Sequence, residues 1–371
     1  MPAVSMMIKP ASAGCDLRCR YCFYADEAAH RAQGVRGRMT RRTAALCAGK
    51  ALEYARGGPC SFMFQGGEPS LAGLNFFEDF VRDAEAANTA RSPLHWSFQT
   101  NGYSLDDAWA AFFARHGFLV GVSIDGAAAV HDALRPAAGG APSHAVVLEN
   151  LRRLRRFGVE CNTLTVVTKQ LAANVGQAYA FFRDEGIAFQ QYIPCMDPLE
   201  GTATDCSLTP KTYARFLHRL FLLWKEDLDR GRYLSIRHFD NWMGILAGRP
   251  PESCNMLGVC SPQFVVEADG SVYPCDFYCL DQWLLGNIAE GTLAEMEARS
   301  RALGFVERSL PVPEECRRCP WYPLCRNGCP RDRDRTGKTR YCEAHREFFS
   351  LHARDLAQAA RTILVHGLQP G

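Results

Sequence analysis

The chain has 371 residues, of which 47% are hydrophobic and 22% charged, and its formal net charge is +2. This composition is that of a soluble globular protein with room for two or three domains. The charge does not favour a nucleic-acid partner, and no apolar run approaches the ~18 residues that span a bilayer. The N-terminus lacks the basic start of a secretory signal. We therefore expect a cytoplasmic protein with neither nucleic acid nor membrane as a partner.

Strand-like runs alternate with amphipathic helical stretches over the first two thirds of the chain. The predicted strands are Val4–Lys9, Ser61–Gln65, Leu94–Gln99, Phe118–Ile124, Cys161–Val167 and Phe189–Ile193. The predicted helices are 40–57, 74–90, 106–116, 145–157, 172–186 and 210–229. Such alternation predicts parallel strands joined by right-handed crossovers. Six units fit an α/β fold of the partial (β/α)6 barrel type better than a full eight-unit barrel, and a six-strand open sheet is the alternative.

The character of the sequence changes after residue 232. A predicted helix, Ile236–Leu246, leads into a segment dense in cysteine, which contains a predicted hairpin of Gln263–Glu267 and Val272–Tyr273. This segment has few apolar residues, so bound metal is expected to hold it together. A terminal helix is predicted from Glu343 to about His366. The predicted domains are 1–232 for the barrel, 233–253 for a linking helix and loop, 254–342 for the cysteine-rich domain, and 343–371 for a C-terminal helix and tail.

The first cysteine motif is a triad, Cys15, Cys19 and Cys22, which follows the first predicted strand. Parallel α/β folds place their chemistry at the C-terminal ends of strands. Seventeen cysteines without export are hard to explain as disulfides. Three thiolates hold a cubane iron–sulfur cluster and leave one iron open to a small molecule. The alternative is structural zinc, which needs a fourth ligand, and His30 is the nearest candidate.

A second set of eight cysteines lies downstream. Its members are Cys254, Cys260, Cys275, Cys316, Cys319, Cys325, Cys329 and Cys342. Eight thiolates suffice to ligate two further clusters completely, and a pair of zinc knuckles is the alternative. We interpret most of the other cysteines as small buried apolar residues, although Cys279 lies close enough to Cys275 to be an additional ligand.

The triad, with Tyr21 before its last cysteine, resembles the signature of the radical S-adenosylmethionine (SAM) superfamily. The resemblance implies that SAM chelates the open iron and is cleaved to a 5′-deoxyadenosyl radical. Gln65 to Pro69 is similar to the family's Gly-Gly-Glu-Pro element, which holds the methionine amino group. The residues that the resemblance places at the cofactor are Tyr21, Gln65, Gly66, Gly67, Glu68, Gln99, Ser123, Asp125 and Arg135.

The downstream cysteines, with Gly270 five positions before Cys275, resemble the SPASM extension of these enzymes. The resemblance implies two auxiliary [4Fe–4S] clusters, and therefore three clusters in all. It assigns Cys254, Cys260, Cys275 and Cys329 to the nearer auxiliary cluster. It assigns Cys316, Cys319, Cys325 and Cys342 to the outer one.

Three longer stretches, Ile8–Ser12, Phe64–Pro69 and Gln263–Tyr278, are similar to anaerobic sulfatase-maturing enzymes. The resemblance implies oxidation of a cysteine or serine to Cα-formylglycine. The target would lie in a Cys/Ser-x-Pro/Ala-x-Arg motif of an unfolded or nascent sulfatase polypeptide. A low-potential electron donor of the flavodoxin or ferredoxin type is expected as a second partner.

Within this resemblance Asp276 matches the family's proposed base, and its alternative role is to cap a local turn. Tyr24, Arg237 and Asp240 are candidates for substrate contacts, and for the last two solvated surface positions are the alternative. Two other functions stay open at this stage. A radical maturase that crosslinks ribosomally made peptides would have the same cysteine framework, and a zinc-stabilised scaffold would not be an enzyme.

Overall fold

A computed structural model describes residues 1–200 and 203–371. The strands are β1 (Val4–Ile8), β2 (Cys60–Phe64), β3 (Leu94–Thr100), β4 (Leu119–Ser123), β5 (Glu160–Val167), β6 (Phe189–Pro194), β7 (Ser235–Ile236), β8 (Phe264–Val266), β9 (Ser271–Tyr273) and β10 (Gly286–Asn287). All six strands predicted for the first part of the chain are confirmed to within one residue at each end. The predicted hairpin is confirmed as β8 and β9.

The helices follow the predicted alternation. They are α1 (Phe23–Ala29), α2 (Arg41–Ala55), α3 (Leu74–Ala87), α4 (Asp107–His116), α5 (Ala128–Leu134), α6 (His144–Arg156), α7 (Lys169–Ala173), α8 (Val175–Asp184), α9 (Pro210–Asp229), α10 (Arg237–Leu246), α11 (Leu293–Ala302), α12 (Glu314–Arg317), α13 (Tyr322–Cys325) and α14 (Cys342–His366). The predicted helices, including the terminal one, are confirmed. The predicted helix 172–186 corresponds to α8. The short helices α1, α5 and α7, the ten-residue α11 and the single-turn helices of the cysteine-rich segment were not predicted.

The described residues form two compact units that are not continuous in sequence. The first unit comprises residues 1–123, 135–161 and 262–305. The second unit comprises residues 124–134, 162–261 and 306–371.

A mixed sheet forms the centre of the first unit. Its strands lie side by side in the order β10, β9, β8, β1, β2, β3 and β4. Strands β1 to β4 pair in parallel, as predicted, with Val4 opposite Cys60 and Cys60 opposite Leu94. The hairpin strand β8 pairs in parallel with the other side of β1, with Met6 opposite Phe264. The carboxyl ends of β1, β2 and β8 therefore lie next to one another, and the loops that follow them share one edge.

The second unit contains the parallel strands β5, β6 and β7 and three packed helices, α9, α10 and α14. Large aromatic side chains fill the space between these helices. The ring centroid of Trp242 lies 5.0 Å from that of Phe348, and Trp224 lies 5.2 Å from Phe239. This aromatic core anchors the N-terminal turn of α14, which carries Cys342. Across the part of the chain that the structure describes, none of the helices has the length and apolarity needed to traverse a bilayer.

Candidate active site

The triad loop connects β1 to α1 and packs tightly against the loop that follows β2. The Gly67 amide donates a hydrogen bond to the Ser12 carbonyl at 2.8 Å, and the Glu68 amide donates to the Gly14 carbonyl at 2.7 Å. A Cβ atom on Gly67 would lie only 2.1 Å from the Gly14 carbonyl oxygen. The glycine is therefore required for close approach of the two backbones. The Gly-Gly-Glu-Pro element thus fixes the loop that carries the cysteines.

Cys15 is the triad cysteine whose hydrogen bonds are best defined. Its Sγ accepts a bond from the Leu17 amide at 3.4 Å and one from Asn101 Nδ2 at 3.6 Å. The same Asn101 nitrogen lies 2.6 Å from Asp16 Oδ1. Burial raises the pKa of Cys15 to about 12, against the lowering effect of the Leu17 amide. The donors therefore offset part of the cost of forming the thiolate, which is the form that ligates iron. The donor set of three partly exposed cysteines on one loop fits a cluster with an open iron.

Glu68 is fully buried, and protein groups already bind both of its carboxylate oxygens. Oε1 accepts from the Ser70 amide at 3.0 Å and from Thr100 Oγ1 at 2.9 Å, and Oε2 accepts from the Asn101 amide at 2.7 Å. Burial raises the pKa of Glu68 to about 7, against the lowering effect of these donors. In the structure Glu68 therefore ties the Gly-Gly-Glu-Pro loop to the end of β3.

The other candidate cofactor residues form separate pairs. Gln99 Nε2 donates to Ser123 Oγ at 3.1 Å, which links the ends of β3 and β4. Arg135 donates to the Tyr21 hydroxyl at 2.7 Å and so reaches the triad loop. Asp125 belongs to the second unit, where its carboxylate accepts from the Val166 amide at 3.0 Å.

A dense polar cluster surrounds Asp276 in the first unit. The Tyr24 hydroxyl donates to Asp276 Oδ2 at 2.7 Å, and Gln65 Nε2 donates to the same oxygen at 3.1 Å. Gln65 Nε2 also lies 2.6 Å from the Tyr24 hydroxyl. Tyr24 comes two residues after Cys22, and Asp276 comes directly after Cys275. These hydrogen bonds therefore connect the loop of the first cysteine motif to the segment that carries Cys275 of the second motif.

Lys9 lies at the centre of the polar side chains around Asp276. It was not among the functional residues predicted from the sequence. Its Nζ lies 2.9 Å from Asp276 Oδ1, 3.2 Å from Cys279 Sγ and 4.4 Å from the centre of the Tyr24 ring. Its side chain is 1% exposed. Burial alone would lower the pKa of Lys9. The surrounding negative charges, of which Asp276 has the largest effect, outweigh burial and raise the pKa well above its usual value. A buried lysine is rare unless it is paired, and here it neutralises several carboxylates.

Glu27 and Glu267 complete the acidic surroundings of Lys9, each with a carboxylate oxygen 3.8 Å from Nζ. Burial raises the pKa of Glu27 to about 8, although the charge of Lys9 opposes the shift. Arg31 forms an ion pair with Glu267, in which Nη1 lies 2.6 Å from Oε1. Cys279 is fully buried, and its Sγ lies 3.2 Å from Lys9 Nζ and 3.7 Å from the Cys275 carbonyl oxygen. These contacts favour the buried interpretation over that of an additional ligand.

The structure brings four of the downstream cysteines together in the second unit. Cys316, Cys319, Cys325 and Cys342 all line a cavity of about 450 Å³. Four thiols around such a volume fit a cubane better than a single ion. These are the four cysteines expected to ligate the outer auxiliary cluster.

Three of the four cysteines expected for the nearer auxiliary cluster also lie close together in the second unit. Burial, the charge of Asp332 and the thiolates of Cys260 and Cys254 raise the pKa of Cys329 to about 12. Cys275, the fourth, belongs to the first unit. No disulfide joins any pair of cysteines within the described residues.

Arg237 and Asp240 lie on the first turns of α10 and are both partly buried, which disfavours the alternative of solvated surface positions. Arg237 Nη1 donates to Gln191 at 3.3 Å. Asp240 accepts from the Tyr233 hydroxyl at 2.8 Å and from Ser235 Oγ at 2.6 Å. Burial raises the pKa of Asp240 to about 6.

Comparison with protein families gives two matches along the chain. Residues 10–181 match the Radical SAM superfamily, and residues 254–320 match the SPASM iron-sulfur cluster-binding domain. The first match contains the triad, and the second contains five of the eight downstream cysteines.

Characterised relatives match almost the whole chain. The cysteine-type anaerobic sulfatase-maturating enzyme of Clostridium novyi (strain NT) is 40% identical over 98% of this chain and 99% of its own length. The serine-type enzyme of Klebsiella pneumoniae is 30% identical over 93% of this chain and 86% of its own length. The solved structure of native anSMEcpe with bound AdoMet and Cp18Cys peptide superimposes with a TM-score of 0.91, at 40% identity, and covers 98% of this chain and 100% of that one.

Proposed function

This chain belongs to the family of anaerobic sulfatase-maturating enzymes, and we propose on that premise that it oxidises a cysteine of a sulfatase polypeptide to Cα-formylglycine. The expected fold class is confirmed as an α/β radical SAM domain with a SPASM domain and a C-terminal helix. Its cofactors are three [4Fe–4S] clusters and SAM. We retain the predicted functional division of residues 1–232, 233–253, 254–342 and 343–371.

The cysteines would divide among the three clusters as the resemblance to the radical SAM and SPASM patterns implies. Cys15, Cys19 and Cys22 would hold the cluster that binds SAM. Cys316, Cys319, Cys325 and Cys342 would hold the outer auxiliary cluster, and the cavity they line supports this assignment. Cys254, Cys260, Cys275 and Cys329 would hold the nearer one. Candidate contacts to SAM are Tyr21, Gln65, Gly66, Gly67, Glu68, Gln99, Ser123, Asp125 and Arg135.

The placement of Asp276 is the observation that supports the oxidase function best. Its carboxylate is bound on one oxygen by Tyr24 and Gln65 and on the other by Lys9. The carboxylate is thus oriented from both sides beside a cluster ligand, Cys275. A base must lie within hydrogen-bond reach of the proton that it removes, so fixed orientation is what this role requires.

Conversion of a cysteine to a thioaldehyde removes two electrons and two protons from its side chain. When bound, SAM and the clusters supply a 5′-deoxyadenosyl radical, which takes a hydrogen atom from the target Cβ, and an acceptor for the second electron. Asp276 takes the remaining proton from the target Sγ. Lys9 keeps a positive charge 2.9 Å from the other carboxylate oxygen. Water then hydrolyses the thioaldehyde to the aldehyde and releases the sulfur as sulfide.

We infer that the target residue of the polypeptide is a cysteine. The 40% identity to a cysteine-type enzyme, against 30% to a serine-type one, supports a cysteine target. The motif would be Cys-x-Pro/Ala-x-Arg in an unfolded or nascent chain. Tyr24, Arg237 and Asp240 are the candidate substrate contacts. We place the reaction in the cytoplasm, with a flavodoxin or ferredoxin type of protein as the low-potential electron donor.

A matched pair of peptides tests this function. Two sulfatase-motif peptides that differ only in Cys or Ser at the target position are incubated anaerobically with reduced enzyme and SAM, and mass spectrometry identifies the products. We expect the aldehyde in place of the thiol, formed faster than from the serine peptide. A crosslinked peptide without an aldehyde would instead support a peptide maturase, and equal rates would remove the cysteine preference.

A further inference from the structure

His345 lies beside the outer cysteine quartet without being one of its expected ligands. Helix α14 begins at Cys342, so His345 lies three residues later on the same helix face. Its Nδ1 is 3.4 Å from Cys325 Sγ. This is a hydrogen-bond distance for sulfur. Four cysteines line the cavity and already complete the ligand set expected for the outer cluster, so we assign His345 a contact with a ligand rather than with the metal.

The direction of this hydrogen bond follows from the chemistry of the sulfur. A cysteine that ligates iron is a thiolate, which has no proton to donate. The imidazole must therefore carry its proton on Nδ1 and donate it to Cys325. The same assignment leaves Nε2 free to accept from another group.

Packing fixes the imidazole in this position. The ring of Phe349 stacks on it with centroids 6.0 Å apart, and those of Tyr213 and Trp242 lie edge-on at 6.0 and 6.2 Å. His345 lines the 450 Å³ cavity of the quartet and also a second cavity of about 30 Å³. The smaller cavity is lined by Cys325 and Cys329 as well, which belong to the two different expected ligand sets. A ring held this firmly keeps one geometry toward Cys325.

We propose that His345 is a positioning residue of the outer auxiliary cluster, which orients the Cys325 thiolate and raises the reduction potential of that cluster. The inference rests on the ligand assignment of the proposed function. Reduction adds negative charge to a cluster, and a hydrogen bond to a ligand sulfur stabilises that charge. The effect is a more readily reduced outer cluster, which suits a site that accepts an electron from substrate oxidation.

The test is an anaerobic redox titration of the holoenzyme, followed by electron paramagnetic resonance. The outer cluster is identified as the signal that disappears in a Cys316→Ala, Cys319→Ala variant. His345→Phe keeps the ring packing and removes the donor, and we expect its outer cluster to titrate at a more negative potential. His345→Gln keeps an N–H donor, and we expect a smaller shift. His352→Phe is the matched control on the same helix, because the described contacts of His352 are to His218, Phe221, Phe348 and Asp355 and include none of the quartet cysteines.

Iron content separates the possible outcomes. A His345→Phe protein with the wild-type amount of iron and the wild-type potential would overturn the inference. If that variant loses iron, the contact of His345 with the cluster is tested instead in the wild-type protein labelled with ¹⁵N-histidine. Pulsed resonance should then detect a histidine nitrogen weakly coupled to the reduced outer cluster, and its absence would overturn the inference. These signals do not depend on peptide oxidation, so failure of the proposed function would appear separately as a missing aldehyde.

Discussion

The polar cluster around Asp276 and the outer cysteine quartet are built in opposite ways. Around Asp276 the protein supplies its own partners, because Lys9, Tyr24 and Gln65 bind both carboxylate oxygens. In the quartet four cysteines line a cavity of about 450 Å³, and in the proposed function their partners are the irons of a cluster. The polar side chains around Asp276 should therefore keep their arrangement without a bound cofactor. The quartet should depend on its cofactor for its shape, as small metal-binding segments do.

The triad gives the largest expected effect, because in the proposed function its three cysteines hold the cluster that binds SAM. Changing Cys15, Cys19 and Cys22 to Ala should abolish 5′-deoxyadenosine formation, as measured by chromatography after anaerobic incubation. Cys161→Ala is the matched control, since Cys161 is also partly exposed and lies outside both motifs. Continued SAM cleavage by the triple variant would refute the assignment of the triad.

Removing ligands from the quartet tests the dependence of its structure on metal. We expect the Cys319→Ala, Cys342→Ala variant to lose the iron of one cluster and to become sensitive to proteolysis between residues 310 and 345. The first unit should keep its protection, as measured by hydrogen exchange. Cys47→Ala, a buried cysteine in α2, is the control. A quartet segment that stays protected without its iron would remove the contrast between the two regions.

Lys9 tests whether the Asp276 cluster depends on internal charge balance. Lys9→Met removes the cation 2.9 Å from Asp276 and leaves this buried carboxylate without its charge partner, which should cost about 3–5 kcal/mol of stability. Chemical unfolding under anaerobic conditions measures this loss. Lys9→Arg keeps the charge and should recover part of the stability. An unchanged free energy of unfolding for Lys9→Met would show that the ion pairs contribute nothing.

Asp276→Asn replaces the carboxylate by an amide of nearly the same size. The amide cannot take up the proton of the target thiol, so formylglycine formation should fall by about 10²-fold or more. SAM cleavage should be much less affected, because Asp276 contacts Lys9, Tyr24 and Gln65 rather than the triad. The ratio of aldehyde to 5′-deoxyadenosine measures this uncoupling. A wild-type ratio would exclude Asp276 as the base.

Glu27 gives the smallest effect, a dependence of stability on pH. Burial raises its pKa to about 8, so the folded state binds this proton more tightly than the unfolded state does. The stabilisation from Glu27 is therefore greatest at low pH and is lost as the pH rises from about 4.5 to about 8. Compared with Glu27→Gln, the wild-type Tm should fall between pH 6 and 8 and then level off. Parallel curves would contradict the raised pKa.

The fold was predictable where hydrophobic period and strand–helix alternation were strong. The six strands of the first part were found because each is a short apolar run between helices. Helix α1 was missed because it has only seven residues, one of them the buried Glu27, and follows the triad without an apolar stripe. The pairing of β8 with β1 was also beyond the sequence, since about 260 residues separate the paired positions and no local pattern encodes such a contact.

The site was predictable where chemistry depends on spacing. Cysteine spacing predicted the triad and the set of eight downstream cysteines. The resemblance to anaerobic sulfatase-maturing enzymes divided that set into two quartets and pointed to Asp276. The role of Lys9 was not predictable, because its partners come from distant parts of the chain. Its one local signal is a charged residue at the end of an apolar run, which is compatible with an exposed strand end. The Cys342-x-x-His345 spacing on α14 was visible in the sequence, but only the structure shows the contact with Cys325.

A target peptide deuterated at the Cβ of its cysteine tests the central claim most directly. In an anaerobic incubation with reduced enzyme and SAM, we expect deuterium in 5′-deoxyadenosine and an aldehyde at the target residue, in equal amounts. Aldehyde formed without transfer of deuterium, or transfer of deuterium without any aldehyde, would contradict the radical oxidation of cysteine to formylglycine by this chain.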